Sequence, residues 1–209
     1  MRHPFLIGLK LYVRGVELSD VDGPYLAWLN DRETTRFLDT GRFPTTRETL
    51  ENLIRTSTGK TESLWLAIVD RKTDKHIGNI KLGPIHWIHR SASIGIVIGD
   101  PRYRGRGYGR EAIELVLRHA FTQLNVHKVT AGAYGDHTAC LALFKQLGFS
   151  VEGSLRQHLY REGRYYDKIV MGLQREVYVQ QHARSISTMR NLVKRHNHTR
   201  RRPLKRISG

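Results

Sequence analysis

The stretch from Ser93 to Phe121 reads SIGIVIGDPRYRGRGYGREAIELVLRHAF, and its character changes twice along its length. Residues 93–99 are almost all apolar and largely β-branched, which is typical of a strand buried on both faces. Asp100, Pro101 and three glycines then interrupt regular structure. Beyond them, apolar residues recur at helical spacing, at positions 112, 113, 116, 117, 120, 121 and 124. The stretch therefore predicts a strand, a glycine-rich turn and a helix.

The turn between this strand and this helix is a candidate phosphate site. The first N–H groups of a helix lack partners and carry partial positive charge, and glycines let such a backbone approach an anion closely. Four arginines flank the turn, at positions 102, 104, 106 and 110. An ordinary tight turn with solvated arginines is the alternative, and the glycine spacing alone does not decide between the two.

Two familiar phosphate loops do not match this turn. The nucleotide P-loop needs Gly-Lys followed by Ser or Thr, whereas Gly109 is followed by Arg110 and Glu111. The dinucleotide fingerprint needs a third glycine at the position of Arg110. The segment RGRGYG, residues 104–109, instead fits the pattern Arg/Gln-x-x-Gly-x-Gly/Ala. On this motif, placed between a strand and a helix, the chain resembles the GNAT N-acetyltransferase superfamily.

The resemblance covers about residues 9–173. Residues 127–149, HKVTAGAYGDHTACLALFKQLGF, are similar to the family's second strand, turn and helix, which end in Gly-Phe. Residues 160–173, YREGRYYDKIVMGL, resemble the last hairpin of the branch that includes the ribosomal-protein N-terminal acetyltransferases. Residues 89–100, HRSASIGIVIGD, resemble the amino-sugar acetyltransferases of bacterial nonulosonate synthesis.

The order of elements predicts an α/β fold, with a mixed, mostly antiparallel sheet flanked by helices. The resemblance adds a V-shaped splay between the two central strands. Gly83-Pro84 is expected to end one strand, and residues 159–167 are expected to form a connection. The predicted strands are residues 9–18, 64–69, 76–82, 93–99, 128–134, 151–158 and 168–173, and the predicted helices besides the one after Gly109 are 20–30, 45–54 and 137–147.

The resemblance implies a site for acetyl-CoA. The backbone of 97–99 is expected to pair with the pantetheine arm like an added strand, and the N–H groups of 105–110 are expected to hold the pyrophosphate. The whole expected set is Val97, Ile98, Gly99, Arg104, Gly105, Arg106, Gly107, Tyr108, Gly109, Arg110, His137 and Phe144. No metal is expected.

At two positions where many family members carry a catalytic acid or base, this chain has a different residue. His137 and Phe144 stand where relatives often have Asn and a Tyr that protonates the departing thiolate, and Ser93 stands where they often have Glu. The candidate catalytic residues are therefore His86, His89, Tyr134 and Tyr166, since histidine can deprotonate an ammonium near neutral pH.

These residues and their neighbours also have purely structural explanations. A surface histidine on a loop explains His86 or His89 equally, and hairpin packing explains Tyr160, Tyr165 and Tyr166. Cys140 falls inside a helical pattern without an activating partner, which indicates a small core residue and not a nucleophile.

The predicted activity is transfer of an acetyl group from acetyl-CoA to a primary amine, by direct attack of the neutral amine on the thioester carbonyl. The favoured acceptor is a nucleotide-linked amino sugar or a similar small metabolite. A protein N-terminus, as in ribosomal-protein acetyltransferases, is the alternative acceptor. A non-catalytic, basic nucleic-acid-binding protein with this fold is the alternative from another class.

The formal net charge of the 209 residues is +16, and it is unevenly distributed. Residues 175–209 contain 10 Lys and Arg against the single Glu176, a net charge of +9. The expected organisation is an acetyltransferase domain over 1–174 and a basic, flexible C-terminal extension over 175–209. The extension is either a solvated tail or a contact for an anionic partner.

The single cysteine and the lack of a long apolar run predict a cytoplasmic protein with no membrane span. A homodimer is left as an open alternative.

Overall fold

The computed structural model describes residues 3–57 and 59–183. The strands are β1 (Leu6–Ile7), β2 (Leu11–Gly15), β3 (Leu64–Asp70), β4 (His76–His86), β5 (Ser91–Ile98), β6 (Lys128–Tyr134), β7 (Ser150–Arg161) and β8 (Arg164–Gln174). The α-helices are α1 (Tyr25–Asn30), α2 (Arg32–Thr35), α3 (Arg47–Ser57), α4 (Tyr108–Thr122), α5 (Thr138–Gln146) and α6 (Arg175–Gln181). Short 3-10 turns occupy Leu18–Asp22 and Pro101–Tyr103.

The strands form one sheet in the order β1-β2-β3-β4-β5-β6-β8-β7. Every neighbouring pair is antiparallel except β5 and β6, which run parallel. These two strands pair only from Ser91 opposite Lys128 to Ser93 opposite Thr130, and then continue without pairing to Ile98 and Tyr134. The gap that opens between them is called the splay. The predicted mixed, mostly antiparallel sheet with helices around it is confirmed.

The main core lies between the sheet and α4. Along β5, Ala92 and Ile94 are buried on the side of α4, whereas Ser93 and Gly95 are exposed on the opposite face. The apolar stripe of α4 includes Ile113, which is fully buried. Burying an aliphatic side chain of this size stabilises the fold by about 1.5–3 kcal/mol. Because the stripe of α4 covers one face of β5, only the opposite face stays accessible.

A second, smaller cluster under α1 and α3 reaches the end of β5. It contains Tyr25, Trp28 and Leu50. Trp28 lies so close to Gly99 that a Cβ on this glycine would overlap the indole ring. Glycine is required here because of this close approach, and the contact sets α1 directly beside the residue that follows β5.

Three predicted boundaries are wrong. The Gly83–Pro84 peptide is cis, and β4 continues past it to His86 with a register shift between Leu82 and Ile85. Residues 159–167 are not a loop, because β7 and β8 stay paired up to Arg161 opposite Arg164 and turn only at Glu162 and Gly163. The predicted helix 20–30 is a 3-10 turn followed by α1.

The chain forms a further helix beyond residue 174. α6 begins at Arg175, and Tyr178 is 5% exposed within the main core, 4.9 Å from the Phe121 ring. The start of the predicted extension therefore packs on the domain, while residues 184–209 lie outside the described residues. Across 3–57 and 59–183, no helix is long and apolar enough to cross a membrane.

We expect Tyr178→Ala to lower the free energy of unfolding by about 3 kcal/mol, because it leaves a cavity against Phe121. Denaturant unfolding followed by circular dichroism measures the change. A chain ending at Gln174 should lose comparable stability, whereas a chain ending at Ala183 should match the full-length protein. Equal stability of the two truncated chains would contradict a structural role for α6.

Candidate active site

The glycine turn, residues 104–110, joins the end of β5 to α4. Gly105 and Gly107 have φ angles of 69° and 84°, in the left-handed region that favours glycine. Gly107 is the N-cap of α4, and Glu111 N–H donates to its carbonyl at 3.1 Å. The N–H groups of 108–110 precede this first intrahelical bond, so they have no intrahelical partner and can bind an anion.

A lysine that the sequence did not suggest lies beside the glycine turn. Lys10, from the connection between β1 and β2, donates from Nζ to the Arg106 carbonyl at 2.9 Å. The carboxylate of Glu111 holds this connection in place by accepting from the backbone N–H groups of Leu9 and Lys10. No local motif could reveal Lys10, because it lies more than ninety residues before the turn.

Arg104 is half-buried and links the glycine turn to its surroundings. Its Nε donates to the Ile98 carbonyl at 2.9 Å, and its Nη2 donates to the Gly99 carbonyl at 3.1 Å. The same Nη2 lies 2.9 Å from the Thr34 hydroxyl of α2. Two backbone carbonyls expected to meet the pantetheine arm are thus already bonded to Arg104, which joins the turn, β5 and α2.

Tyr108 anchors the first turn of α4. Its hydroxyl donates to Asp70 at the end of β3, with an oxygen–oxygen distance of 2.8 Å. Burial, together with the Asp70 carboxylate, raises the pKa of Tyr108 to about 12. The side chain is therefore a structural contact, and only the backbone of Tyr108 is suited to binding a phosphate.

The accessible face of the splay carries small and polar residues. At its closed end the hydroxyls of Ser93 and Thr130 lie 3.1 Å apart. Gly95 has no atom within 4 Å of where a Cβ would be, and the Lys168 side chain crosses over Gly132. This face therefore leaves room for a ligand between β5 and β6.

Aromatic rings gather around a buried arginine at the open end of the splay. The Arg161 guanidinium lies 4.7, 5.1 and 4.3 Å from the ring centroids of Phe37, Tyr134 and Tyr166. Its Nη2 donates to Asp136 at 2.5 Å. The structure thus brings two of the predicted catalytic residues together, with the Tyr134 and Tyr166 rings 5.9 Å apart.

The two other predicted catalytic residues lie at the opposite end of the sheet. His86 pairs with Ser91, and His89 belongs to the exposed turn between β4 and β5. The strands open beyond Ser93, and Ile98 lies roughly 23 Å along β5 from Ser91 at about 3.3 Å per residue. The structure therefore places both histidines beyond the closed end of the splay, apart from Tyr134 and Tyr166.

His137 lies at the open end instead. It is the N-cap of α5, and its ring stacks on Phe37 with centroids 3.9 Å apart. Burial lowers the pKa of His137; the Asp136 carboxylate acts against this, the Arg161 charge acts with it, and the pKa lies below its ordinary value. The ring is therefore neutral at pH 7 and able to accept a proton.

The two remaining residues on α5 belong to packing. Phe144 is 3% exposed and contacts the Phe149 ring within the main core, with centroids 4.9 Å apart. Burial raises the pKa of Cys140 to about 11, which keeps the thiol protonated and unreactive. Among residues 3–57 and 59–183, no group of three His, Cys, Asp or Glu side chains could hold a metal ion.

Comparison with known proteins identifies the family. The model of the GNAT acetyltransferase domain matches residues 10–150. This chain belongs to the GNAT acetyltransferase family. The family predicted from the glycine turn is confirmed, and the protein is an N-acetyltransferase.

Three relatives illustrate the relationship. The prophage-derived N-acetyltransferase YokL of Bacillus subtilis is 29% identical over 153 residues, which cover 73% of this chain and 84% of YokL. Spermidine N(1)-acetyltransferase of Vibrio cholerae is 34% identical over 100 residues, which cover 48% of this chain and 57% of the enzyme. The structure of spermidine N-acetyltransferase from Vibrio cholerae with CoA and spermine superposes with a TM-score of 0.76 at 26% identity, covering 81% and 98% of the two chains. None of these three is named for a ribosomal protein or an amino sugar, so the predicted branch is not confirmed.

We expect Gly107→Val to abolish CoA binding in a folded protein. The left-handed φ of Gly107 disfavours a branched residue, and a Cβ there stands where a phosphate must approach the turn. Calorimetric titration with CoA measures the effect, with circular dichroism to establish folding. Gly15→Ala is the control, because its Cβ would meet no atom within 4 Å. An unchanged Kd for CoA in folded Gly107→Val would rule out the pyrophosphate role of the turn.

Proposed function

We propose that this protein transfers the acetyl group of acetyl-CoA to the primary amine of a small molecule bound at the open end of the splay. The observation that carries the proposal is the parting of β5 and β6 after Ser93 and Thr130, directly beside the unpaired N–H groups of α4. CoA consists of a diphosphate joined to a thin, amide-containing arm. The diphosphate fits the anion-binding glycine turn, and the arm fits the adjoining gap between β5 and β6. The Vibrio cholerae relative contains CoA in its structure, which supports the same cosubstrate here.

The residues of the glycine turn are suited to hold the diphosphate. The backbone of 108–110 offers N–H donors, and Lys10 and Arg106 add positive charge beside them. Acetyl-CoA supplies the reactive thioester carbonyl when bound. β5 and β6 would then orient the thioester and the amine with respect to each other, which lowers the entropic part of the barrier.

The acceptor must be a neutral amine, so a group near the open end has to take its proton. We assign this role to His137, because its lowered pKa leaves the ring neutral near pH 7. The predicted residues Tyr134 and Tyr166 lie in the same aromatic group and remain candidates for ordering the amine. No acid at position 144 is needed, since a thiol with a pKa of about 8.5 can leave largely as thiolate.

The comparisons and the sequence favour different acceptors. The Vibrio cholerae relatives are named for spermidine, which makes polyamines the first acceptors to test. The nucleotide-linked amino sugar favoured by the sequence, and a protein N-terminus, have no support from those relatives. A non-catalytic nucleic-acid-binding role would rest on the basic residues 184–209, which the structure does not describe.

We expect thiol release from acetyl-CoA in the presence of at least one primary amine among polyamines, amino sugars and peptides with free N-termini. A chain ending at Ala183 should turn over a small acceptor within a few-fold of the full chain, because the splay and the glycine turn are intact. A colorimetric thiol assay measures both. Absence of thiol release with every amine, together with absence of CoA binding, would refute the proposed function.

We expect His137→Gln to lower kcat by about 10²–10⁴-fold if His137 takes the proton of the amine. Burial lowers the His137 pKa below 6.5, so kcat of the wild-type protein should fall as the pH decreases below that value, when the ring becomes charged. The variant should lose this decrease and keep the KM for acetyl-CoA. His86→Gln, on the far side of the closed end, should retain the wild-type pH profile. An unchanged profile in His137→Gln would assign the proton to another group.

A further inference from the structure

Granted the proposed acetyl transfer, we propose that the acceptor amine also carries a carboxylate or phosphate, which binds in a cavity lined by arginines beside Tyr134. The cavity, called the arginine cavity, has a volume of about 200 Å³. It is formed by α2 with the segment that follows, the end of β6 and the turn between β7 and β8. Since Tyr134 both lines it and ends β6, the cavity adjoins the open end of the splay.

Positive charge dominates the arginine cavity. Arg32, Arg36, Arg42 and Arg161 line it, and Glu162 is the single carboxylate residue among its lining residues. Asp136 pairs with Arg161 from outside the lining. Four guanidiniums thus face two carboxylates, which leaves a formal charge of +2.

Arg161 is the buried cation among the residues that line this cavity. Its side chain is 8% exposed, and within the described chain its Nε and Nη1 atoms have no hydrogen-bond partner. Glu162 approaches Nε only to 3.9 Å, which is too long for a hydrogen bond. A buried donor without a partner is unfavourable, because it has lost its hydrogen bond to water. Both atoms are enclosed among the rings of Phe37, Tyr134 and Tyr166, so an anion in the cavity would compensate the charge of this guanidinium.

The chemistry of the donors selects the ligand class. The planar guanidinium matches the two oxygens of a carboxylate or phosphate, and such charge-assisted hydrogen bonds are among the strongest in proteins. The Arg42 Nη2 donates to the Tyr134 hydroxyl at 3.1 Å, so the cationic wall reaches the residue nearest the splay. An acceptor held by its anionic group in the cavity would therefore present its amine towards the splay.

The same charges disfavour polyamines. Like charges repel one another, and they repel more strongly near a protein surface than in bulk water. Spermidine carries several positive charges and no negative one, so the arginine cavity would repel the part of the molecule that is not being acetylated. This chain is expected to differ in acceptor from the Vibrio cholerae spermidine enzyme.

The test compares acceptors that differ only in the anionic group: phosphoethanolamine with ethanolamine, and tyrosine with tyramine, alongside spermidine. We expect kcat/KM to be at least tenfold higher for the anionic member of at least one pair, and the pair that shows the preference distinguishes phosphate from carboxylate. Arg36→Gln should reduce that preference at least fivefold, through a rise in KM for the anionic acceptor that exceeds any change for the neutral amine. Arg55→Gln, an exposed arginine on α3 away from the cavity, is the matched control.

A binding measurement keeps the proposal testable without turnover. With the protein saturated by CoA, so that the glycine turn is filled, calorimetry should detect phosphoethanolamine or tyrosine, and Arg36→Gln should weaken the binding. Arg161→Lys keeps the positive charge but loses the planar guanidinium, which can donate two parallel hydrogen bonds. This variant should weaken binding of the anionic ligand further.

The outcomes separate the two proposals. Turnover of neutral amines or spermidine without any anionic preference would overturn the anionic acceptor and leave acetyl transfer standing. Equal losses for both members of a pair in Arg36→Gln would also overturn it. Anion binding that depends on Arg36, with no thiol release from any amine, would support the cavity and refute acetyl transfer.

Discussion

The parting of β5 and β6 is the constraint on which the rest of this structure depends. Two parallel strands in the middle of a sheet share only three residue pairs, and the backbone beyond Ser93 and Thr130 must find other partners. Arg104 takes the carbonyls of Ile98 and Gly99, and the core under α4 holds β5 in position without help from β6. The gap is stable because the two halves of the sheet are each paired on their outer sides, β5 with β4 and β6 with β8.

The same arrangement links the glycine turn, where CoA is proposed to bind, to the arginine cavity, where the acceptor is proposed to bind. Arg104 bonds both to the end of β5 and to Thr34 of α2, the helix that contributes Arg32 to the arginine cavity. Trp28 packs against Gly99, directly after β5. The glycine turn and the wall of the arginine cavity are therefore joined by direct contacts. A ligand bound at the glycine turn would lie next to residues that also position the cavity wall.

Charge and aromatic rings meet at the open end of the splay. A guanidinium enclosed by Phe37, Tyr134 and Tyr166 is stabilised by the ring faces and by Asp136, and it keeps two donors without hydrogen-bond partners in the described chain. His137 also stacks on Phe37, and burial and this cation lower its pKa against the opposing effect of Asp136. One aromatic residue thus brings the candidate proton acceptor and the candidate anion site together.

The sequence by itself determined the strand, glycine turn and helix around Gly105 and Gly107, because these depend on local backbone conformation and on the spacing of apolar residues. It determined the family for the same reason. It did not determine the paths of β4 past Gly83 or of β7 and β8 up to Glu162, because long-range ladder pairing overrides local breakers. Only the tertiary structure brought Lys10 to the glycine turn, separated His86 from the splay, and assembled Arg36, Arg42 and Arg161 around one cavity. Those contacts join residues tens to more than a hundred positions apart, and side-chain chemistry along the chain carries no information about such distances until the sheet is formed.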